Sequence, residues 1–280
     1  MSFIMAIKIS FGCSKGGVGR TTNTIMLSYY LALKGNRVLV VDIDSQEDTT
    51  GFFLGLDFTS KLIDEYGKNY ADYTIMALFN SKTYKDEPNR LIYKTRYNNI
   101  DILPSIVDLR SQEHILYENP TTSLTRLKHY LNKVENNYDY IIMDTKAETD
   151  IFAQNVYVSS DYIVIIMSAS GLDLKGMKLV MDVVNELQDK LDNVGKIIAI
   201  LLNKIDYRTR QTREFIDFLK QNFSDLLIDN YIKNLNIYST QLSLNKTIWE
   251  LPELPYLKSD PIKEVETVYA KLIRRMNSNV

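Results

Sequence analysis

Apolar and polar residues alternate in blocks along this chain. "AIKISFG" switches at every second residue and then runs into glycines, which predicts a first strand over Ala6–Phe11. From Arg20 to Leu33 the period changes. Ile25, Met26, Tyr29, Tyr30 and Leu33 recur at helical spacing, and Gly35 is a natural stop. "RVLVVDID" is a continuous apolar run ending in two aspartates, the pattern of a buried strand. A polar stretch follows, with a short helix expected at "DYTIMALFN" and a loop through Pro88. "NIDILPS" reads as a strand, "LTRLKHYLNKV" as an amphipathic helix, and "YDYIIMD" as a second strand ending in an acid. "DYIVIIMS", the helix "LKGMKLVMDVVNELQDKL" and the strand "KIIAILLN" continue the alternation. The last helix, "DPIKEVETVYAKLIRRM", puts Ile262, Val265, Val268, Tyr269, Leu272, Ile273 and Met276 on one stripe, as a helix docked on a core does. A helix lying on a membrane surface carries a similar stripe, but the charges here are mixed in sign.

Apolar strands alternating with amphipathic helices define an α/β fold, a mostly parallel sheet with helices on both faces. Such sheets bind ligands at the carboxyl ends of their strands. The glycine loop, Asp42, Asp44, Asp144 and Asn203 all fall at or just after strand ends, so they are expected to converge on one edge. No Pro/Gly/Ser-rich linker or internal repeat interrupts the pattern, and one domain is expected over residues 1–280.

Composition narrows the function classes. The 280 residues are 45% hydrophobic and 24% charged, ordinary for a chain with a substantial core. The apolar runs are too short to span a bilayer, and no export signal is visible. A single cysteine, Cys13, excludes a disulfide framework or an all-cysteine cluster within one chain, and the expected compartment is the cytoplasm. The net charge of −2 gives no global attraction to nucleic acid, though a local basic face remains open.

The chemistry starts at "CSKGGVGRTT", Cys13 to Thr22. Gly16, Gly17 and Gly19 let the backbone point successive N–H groups at phosphate oxygens, and the following helix adds its dipole. Thr21 offers the hydroxyl that Mg²⁺ takes beside the β- and γ-phosphates. A glycine-rich turn alone proves little. This one lies between strand and helix and is followed by strand-end acids, which turns a generic turn into a nucleotide site. Asp42, Asp44 and Asp144 as simple solvated strand ends are the plainer alternative; three on one edge favour a metal.

"SKGGVGRTT" resembles the deviant Walker A motif, K-G-G-x-G-K-S/T-T, of the ParA/MinD family of P-loop ATPases. "VLVVDIDSQEDTTGFFLG" resembles that family's switch I, and "YDYIIMDTKAETD" its Walker B and switch II segment. Weaker likenesses at "NIDILPSIVDLRSQE", "DYIVIIMSASGLDLKG" and "LLNKIDYRTRQTREF" extend the resemblance over most of residues 6–220. The resemblance implies ATP with Mg²⁺ in a nucleotide-sandwich homodimer. Lys15 matches the signature lysine that crosses to the partner's phosphates. Ser14, Lys15, Gly16, Gly17, Val18, Gly19, Arg20, Thr21 and Thr22 form the phosphate cradle, and Asn203 matches a base-reading asparagine. Thr21, Asp42 and Asp144 are the expected metal group. Lys15, Asp44 and Arg20 are the expected catalytic group, with Asp44 positioning the attacking water.

Arg20 departs from the pattern, because the family has lysine there. Arginine keeps the charge but presents a larger planar fork, so binding is expected to survive in weakened or distorted form and turnover to be slow or absent. Lys146 replaces a residue that is usually small or proline, either as a solvated loop lysine or as a charge near the γ-phosphate. Ser45 in place of the switch I proline is a milder change. "NKID", Asn203 to Asp206, also matches the guanine-reading N-K-x-D motif, which keeps GTP as a minority alternative.

Within the family a partition role implies non-specific DNA and a ParB-like centromere-binding partner. The candidate DNA face is Lys204, Arg208, Arg210, Arg213 and Lys220, with Asp206, Glu214 and Asp217 interleaved; an ordinary solvated helix is the plainer alternative. Arg274 and Arg275 are possible additions to that face. The P-loop begins near residue 14, so no N-terminal helix-turn-helix is expected. The iron–sulfur branch lacks its cysteines here, and a ligase-like synthetase of this fold lacks the signature lysine. A MinD-like membrane-cycling ATPase and a non-hydrolysing dimerisation module are the alternatives to a ParA-like, nucleoid-associated DNA-partition ATPase.

Overall fold

The computed structural model describes residues 5–13, 15–80, 87–118, 120–147, 149–169, 171–251 and 260–278. Among these, eight strands form one sheet: β1 (Ile7–Gly12), β2 (Val38–Asp42), β3 (Tyr93–Lys94), β4 (Ile100–Leu103), β5 (Tyr140–Asp144), β6 (Tyr162–Met167), β7 (Lys196–Ile205) and β8 (Leu227–Lys233). Their order is β3-β4-β2-β5-β1-β6-β7-β8, and every neighbouring pair is parallel except β3 with β4. This is the α/β architecture that the alternating pattern predicts.

Period 2 divides each central strand between two cores. Leu39, Val41, Ile141, Met143, Ile163, Ile165, Ile200 and Leu202 feed one face, where helices Arg126–Val134, Ile151–Ser159, Gly171–Lys190 and Arg210–Asn222 pack. Val38, Val40, Ile9, Phe11, Ile142, Val164, Ile166 and Leu201 feed the other, under helices Arg20–Leu33, Asp48–Leu54 and Pro261–Asn277. Strands buried on both faces need the continuous apolar runs seen in the sequence.

The C-terminal stripe belongs to this second core. Val265, Val268, Tyr269, Leu272 and Met276 are fully buried, and Tyr269 donates to Asn23 Oδ1 at 2.8 Å. Asp260 caps the helix by accepting from Lys263 N, and Pro261 occupies the first turn. Its apolar face is therefore already used. Among the described residues no helix is long and apolar enough to cross a membrane.

Some elements escaped the pattern. The expected helix at "DYTIMALFN" resolves into a 3₁₀ segment, Gly67–Tyr73, and a single turn, Ala77–Asn80. Helix Ile151–Ser159 is buried on nearly every side and so lacks a polar face to reveal it. β8 lies at the sheet edge with a mixed burial pattern, which blurs its alternation. In the parallel register Asp42 lies opposite Asp144, so β2 and β5 deliver both acids to the edge where β1 ends in the glycine loop.

Candidate functional site

β1 ends at Gly12, and the chain curls through Gly16–Gly19 into helix Arg20–Leu33. Gly17 (φ +75°) and Gly19 (φ +100°) hold left-handed conformations that other residues rarely adopt. A Cβ on Gly19 would also sit 2.3 Å from Asn203 Nδ2. Buried Val18 anchors the loop, while the space in front of Gly16 and Gly17 is open. The helix has no side-chain cap and no acid in its first turn, so its terminal N–H groups are available to an anion. Thr21 and Thr22 follow at once. Ser14 lies outside the described residues.

The three acids behave differently. Asp144 accepts from Thr21 Oγ1 at 2.8 Å and from Thr49 Oγ1 at 2.6 Å, both through Oδ2. Its Oδ1 is buried without a partner. Burial pushes this carboxyl up to about 6, against the opposing hydrogen bonds of Thr49 and Thr21 and the charge of Arg20. Asp42 has Oδ1 engaged by Asp44 N and Oδ2 by the N–H and hydroxyl of Thr50. Burial, and then the charge of Asp144, raise it well above the usual carboxylate range. Asp42, expected in the metal group, thus has both oxygens engaged within switch I. Asp44 is half-buried, accepts from Gln46 N at 3.0 Å, and is raised chiefly by burial.

Arg20 turns inward. Its Nε donates to Thr145 O at 2.8 Å and its Nη1 to Cys13 O at 3.0 Å and Lys15 O at 3.2 Å. The guanidinium thus ties the phosphate loop to the end of β5. Nη2 has no hydrogen-bond partner among the described residues. Lys15 extends instead to Asp173, a fully buried carboxylate 3.2 Å away that Ser168 also holds at 2.7 Å. Lys146 is drawn to Asp150 at 2.6 Å and to Glu113 at 3.6 Å. Arg20, Asp44, Ser45, Gln46, Lys146 and Ala147 line a cavity of about 250 Å³, joined by Arg110 from the 3₁₀ segment Val107–Gln112. Sequence reasoning passed over Arg110, Thr49, Thr50 and Asp173. The threonines follow the switch I acids within a few residues, in "DIDSQEDTT", and that proximity was the available signal.

At the end of β7, Asn203 Nδ2 donates to Val18 O and Lys204 Nζ to Gly17 O, both at 2.7 Å. Lys204 holds a left-handed φ of +56° while doing so. It braces the phosphate loop from the exposed end of β7. Asp206 accepts a two-pronged contact from Arg208 at 2.8 and 2.7 Å, whose hydrogen bonds bring its carboxyl down to about 2. Arg210 pairs with Glu214, Lys220 lies 3.9 Å from Asp217, and Arg213 caps the carbonyls of Tyr207 and Arg208. The exposed face of helix Arg210–Asn222 therefore carries its cations largely in local pairs.

The sequence profile of the AAA domain family matches residues 6–197. The chain is 29% identical over 268 residues to the sporulation initiation inhibitor protein Soj of Bacillus subtilis, covering 95% of this chain and 96% of that protein. The chain belongs to the ParA/MinD family of partition-type ATPases. Two solved structures share the fold. An ATP complex of a Cyanothece McdA variant superposes with a TM-score of 0.80 at 18% identity, covering 98% of this chain and 97% of that one. A putative plasmid partition protein of Borrelia burgdorferi bound to AMPPNP gives 0.75 at 24% identity, covering 96% and 99%. ParA/MinD proteins use nucleotide with magnesium, and the residues here fit that metal. Mg²⁺ takes oxygen ligands and keeps several waters; Thr21 Oγ1, which donates to Asp144 Oδ2, and the unpartnered Asp144 Oδ1 are such oxygens at the phosphate loop.

Proposed function

We propose that this ParA/MinD chain is a DNA-partition ATPase that binds ATP·Mg²⁺, dimerises around the nucleotide and carries cargo over the nucleoid. The observation that carries the reading is Asp144: a buried carboxylate with one oxygen on Thr21 and the other unpartnered, beside an uncapped glycine loop. A buried polar atom without a partner is costly unless a ligand completes it. Bound magnesium supplies charge neutralisation on the β- and γ-phosphates. Thr21 and Asp144 would hold it with Asp42 supporting its shell, the N–H groups of Gly16–Thr22 would orient the phosphates, and Asp44 would orient the attacking water. Asn203 Oδ1, not engaged by its bond to Val18, is an acceptor for the exocyclic amine of adenine.

Lys15 has to leave Asp173 before it can reach a partner's phosphates, so dimerisation and nucleotide binding are expected to be coupled. Non-specific DNA contact is assigned to Lys204, Arg208, Arg210, Arg213 and Lys220, with release triggered by a ParB-like partner. The first experiment is DNA retardation with ATP, ADP or no nucleotide, alongside sedimentation. ATP-dependent dimers that retain DNA are the expected result; equal DNA binding in all three conditions would sink the partition reading. Competition of ATP and GTP for one fluorescent analogue checks the base, with preference for ATP expected.

A second reading has its own observation. Arg20 is committed to three carbonyls, which favours a nucleotide-dependent dimerisation module with little turnover. Arg20→Lys is expected to raise the ATPase rate at least about tenfold, the scale of one recovered charge-assisted contact. An unchanged rate would refute the link between Arg20 and slow turnover.

A further inference from the structure

The cavity beside Asp44 collects more positive charge than the loop motif explains. Arg20 comes from the start of the first helix, Lys146 from the end of β5, and Arg110 from the 3₁₀ segment after β4. Facing them in the lining is one acid, Asp44. Two of the cations are largely accounted for. Lys146 is held by Asp150 and Glu113, and Arg20 has Nε and Nη1 on backbone carbonyls. The Arg110 side chain has no ion pair or hydrogen bond among the described residues. An unpaired guanidinium in the same cavity as the open Nη2 edge of another gains little from the protein alone. Both gain if an anion lies between them, because the planar fork matches phosphate oxygens two at a time.

From this we infer that Arg110 is a γ-phosphate ligand, acting with Arg20 Nη2 in place of the Walker lysine that this chain lacks. The inference rests on the nucleotide reading above and goes beyond it, since the phosphate-loop motif does not include the segment after β4. At about 30 Å³ per water, the cavity of about 250 Å³ has room for a phosphoryl group and its hydration. The consequence is selectivity. An arginine outside the phosphate loop senses the terminal phosphate and leaves the diphosphate to the glycine loop, so it should set the ratio of ATP to ADP affinity.

Equilibrium titration with fluorescent AMPPNP and fluorescent ADP in the presence of Mg²⁺ tests this, using the full chain and its Arg110→Ala, Arg110→Lys and Arg274→Ala versions. Arg110 is exposed, and thermal unfolding of each variant checks that the fold is unchanged. Arg110→Ala is expected to weaken AMPPNP about tenfold, the scale of one lost charge-assisted hydrogen bond, while ADP moves less than about twofold. Arg110→Lys should fall between the two and Arg274→Ala should match the parent chain. Equal loss for both nucleotides, or loss for neither, would overturn the role of Arg110 while leaving the nucleotide site standing. Failure of the parent chain to bind either nucleotide would overturn the nucleotide reading and this inference with it.

Discussion

The two edges of the sheet both bury charge, and they do so in opposite ways. At the amino edge Lys8 donates to Glu135 at 2.7 Å, lies 3.6 Å from Asp161, and gives Asp161 its backbone N–H at 2.8 Å. Arg37 forks onto Asp139 nearby, and Lys94 pairs with Asp101, which Tyr138 also holds. Even the cavity of about 620 Å³ there has its cations matched. At the carboxyl edge Asp144 keeps a bare oxygen, while buried Arg20 and exposed Arg110 keep open donors in the cavity beside Asp44. A closed set of buried charges serves the fold. An open one is tolerated when something else completes it.

Substitutions at the two edges should therefore differ in sign as well as size. Glu135→Gln removes the anion of a nearly buried lysine and is expected to cost about 3 kcal/mol in denaturant unfolding, with nucleotide affinity unchanged. Gly19→Ala combines a left-handed backbone with a collision against Asn203. About 2 kcal/mol of stability and all measurable nucleotide binding should go together. Asp144→Asn is the informative counterpart to Glu135→Gln. Its carboxyl, at about 6, is mostly ionised at neutral pH and has one oxygen unpartnered. Neutralising it should raise the stability of the nucleotide-free chain by about 1 kcal/mol while abolishing magnesium-dependent nucleotide binding. A loss of stability for Asp144→Asn as well as for Glu135→Gln would remove the contrast. The smallest effect is expected at Arg208→Ala, on the exposed face. The unfolding midpoint should not move, and the salt slope of DNA binding should fall by about one.

Much of the fold was legible because it is written locally. Buried parallel strands such as "VLVVD" and "YIVIIM" announce themselves by apolar content, and helix Arg20–Leu33 by its period and its glycine stop. Where burial was all-round, as in Ile151–Ser159, or partial, as in β8, the period carried no signal. The site divides along the same line. Thr21 and Asp144 could be nominated from their offsets to the glycines and the strand end, and they meet at 2.8 Å. Asp42 had an equally good offset, and only the fold shows that Thr50 donates to it. Lys204 looked like one cation among several, yet its backbone directs it to Gly17.

By itself the sequence determined the alternation of strand and helix, the glycine loop and the set of strand-end acids, because each depends on neighbours a few residues away. The partner of each charged group was decided only by the tertiary structure. The strand order β4-β2-β5-β1-β6-β7 brings Thr145 under Arg20, Asp173 to Lys15, Asn203 to Val18, and Arg110 into one cavity with Asp44. No local period encodes those meetings. They follow from crossover connections that carry distant segments to one edge, where burial and the available hydrogen bonds then select which charge is closed and which stays open. The unusual residue at position 20 is the clearest case: the sequence marks it as a missing lysine, and the fold makes it a strut between the phosphate loop and the end of β5.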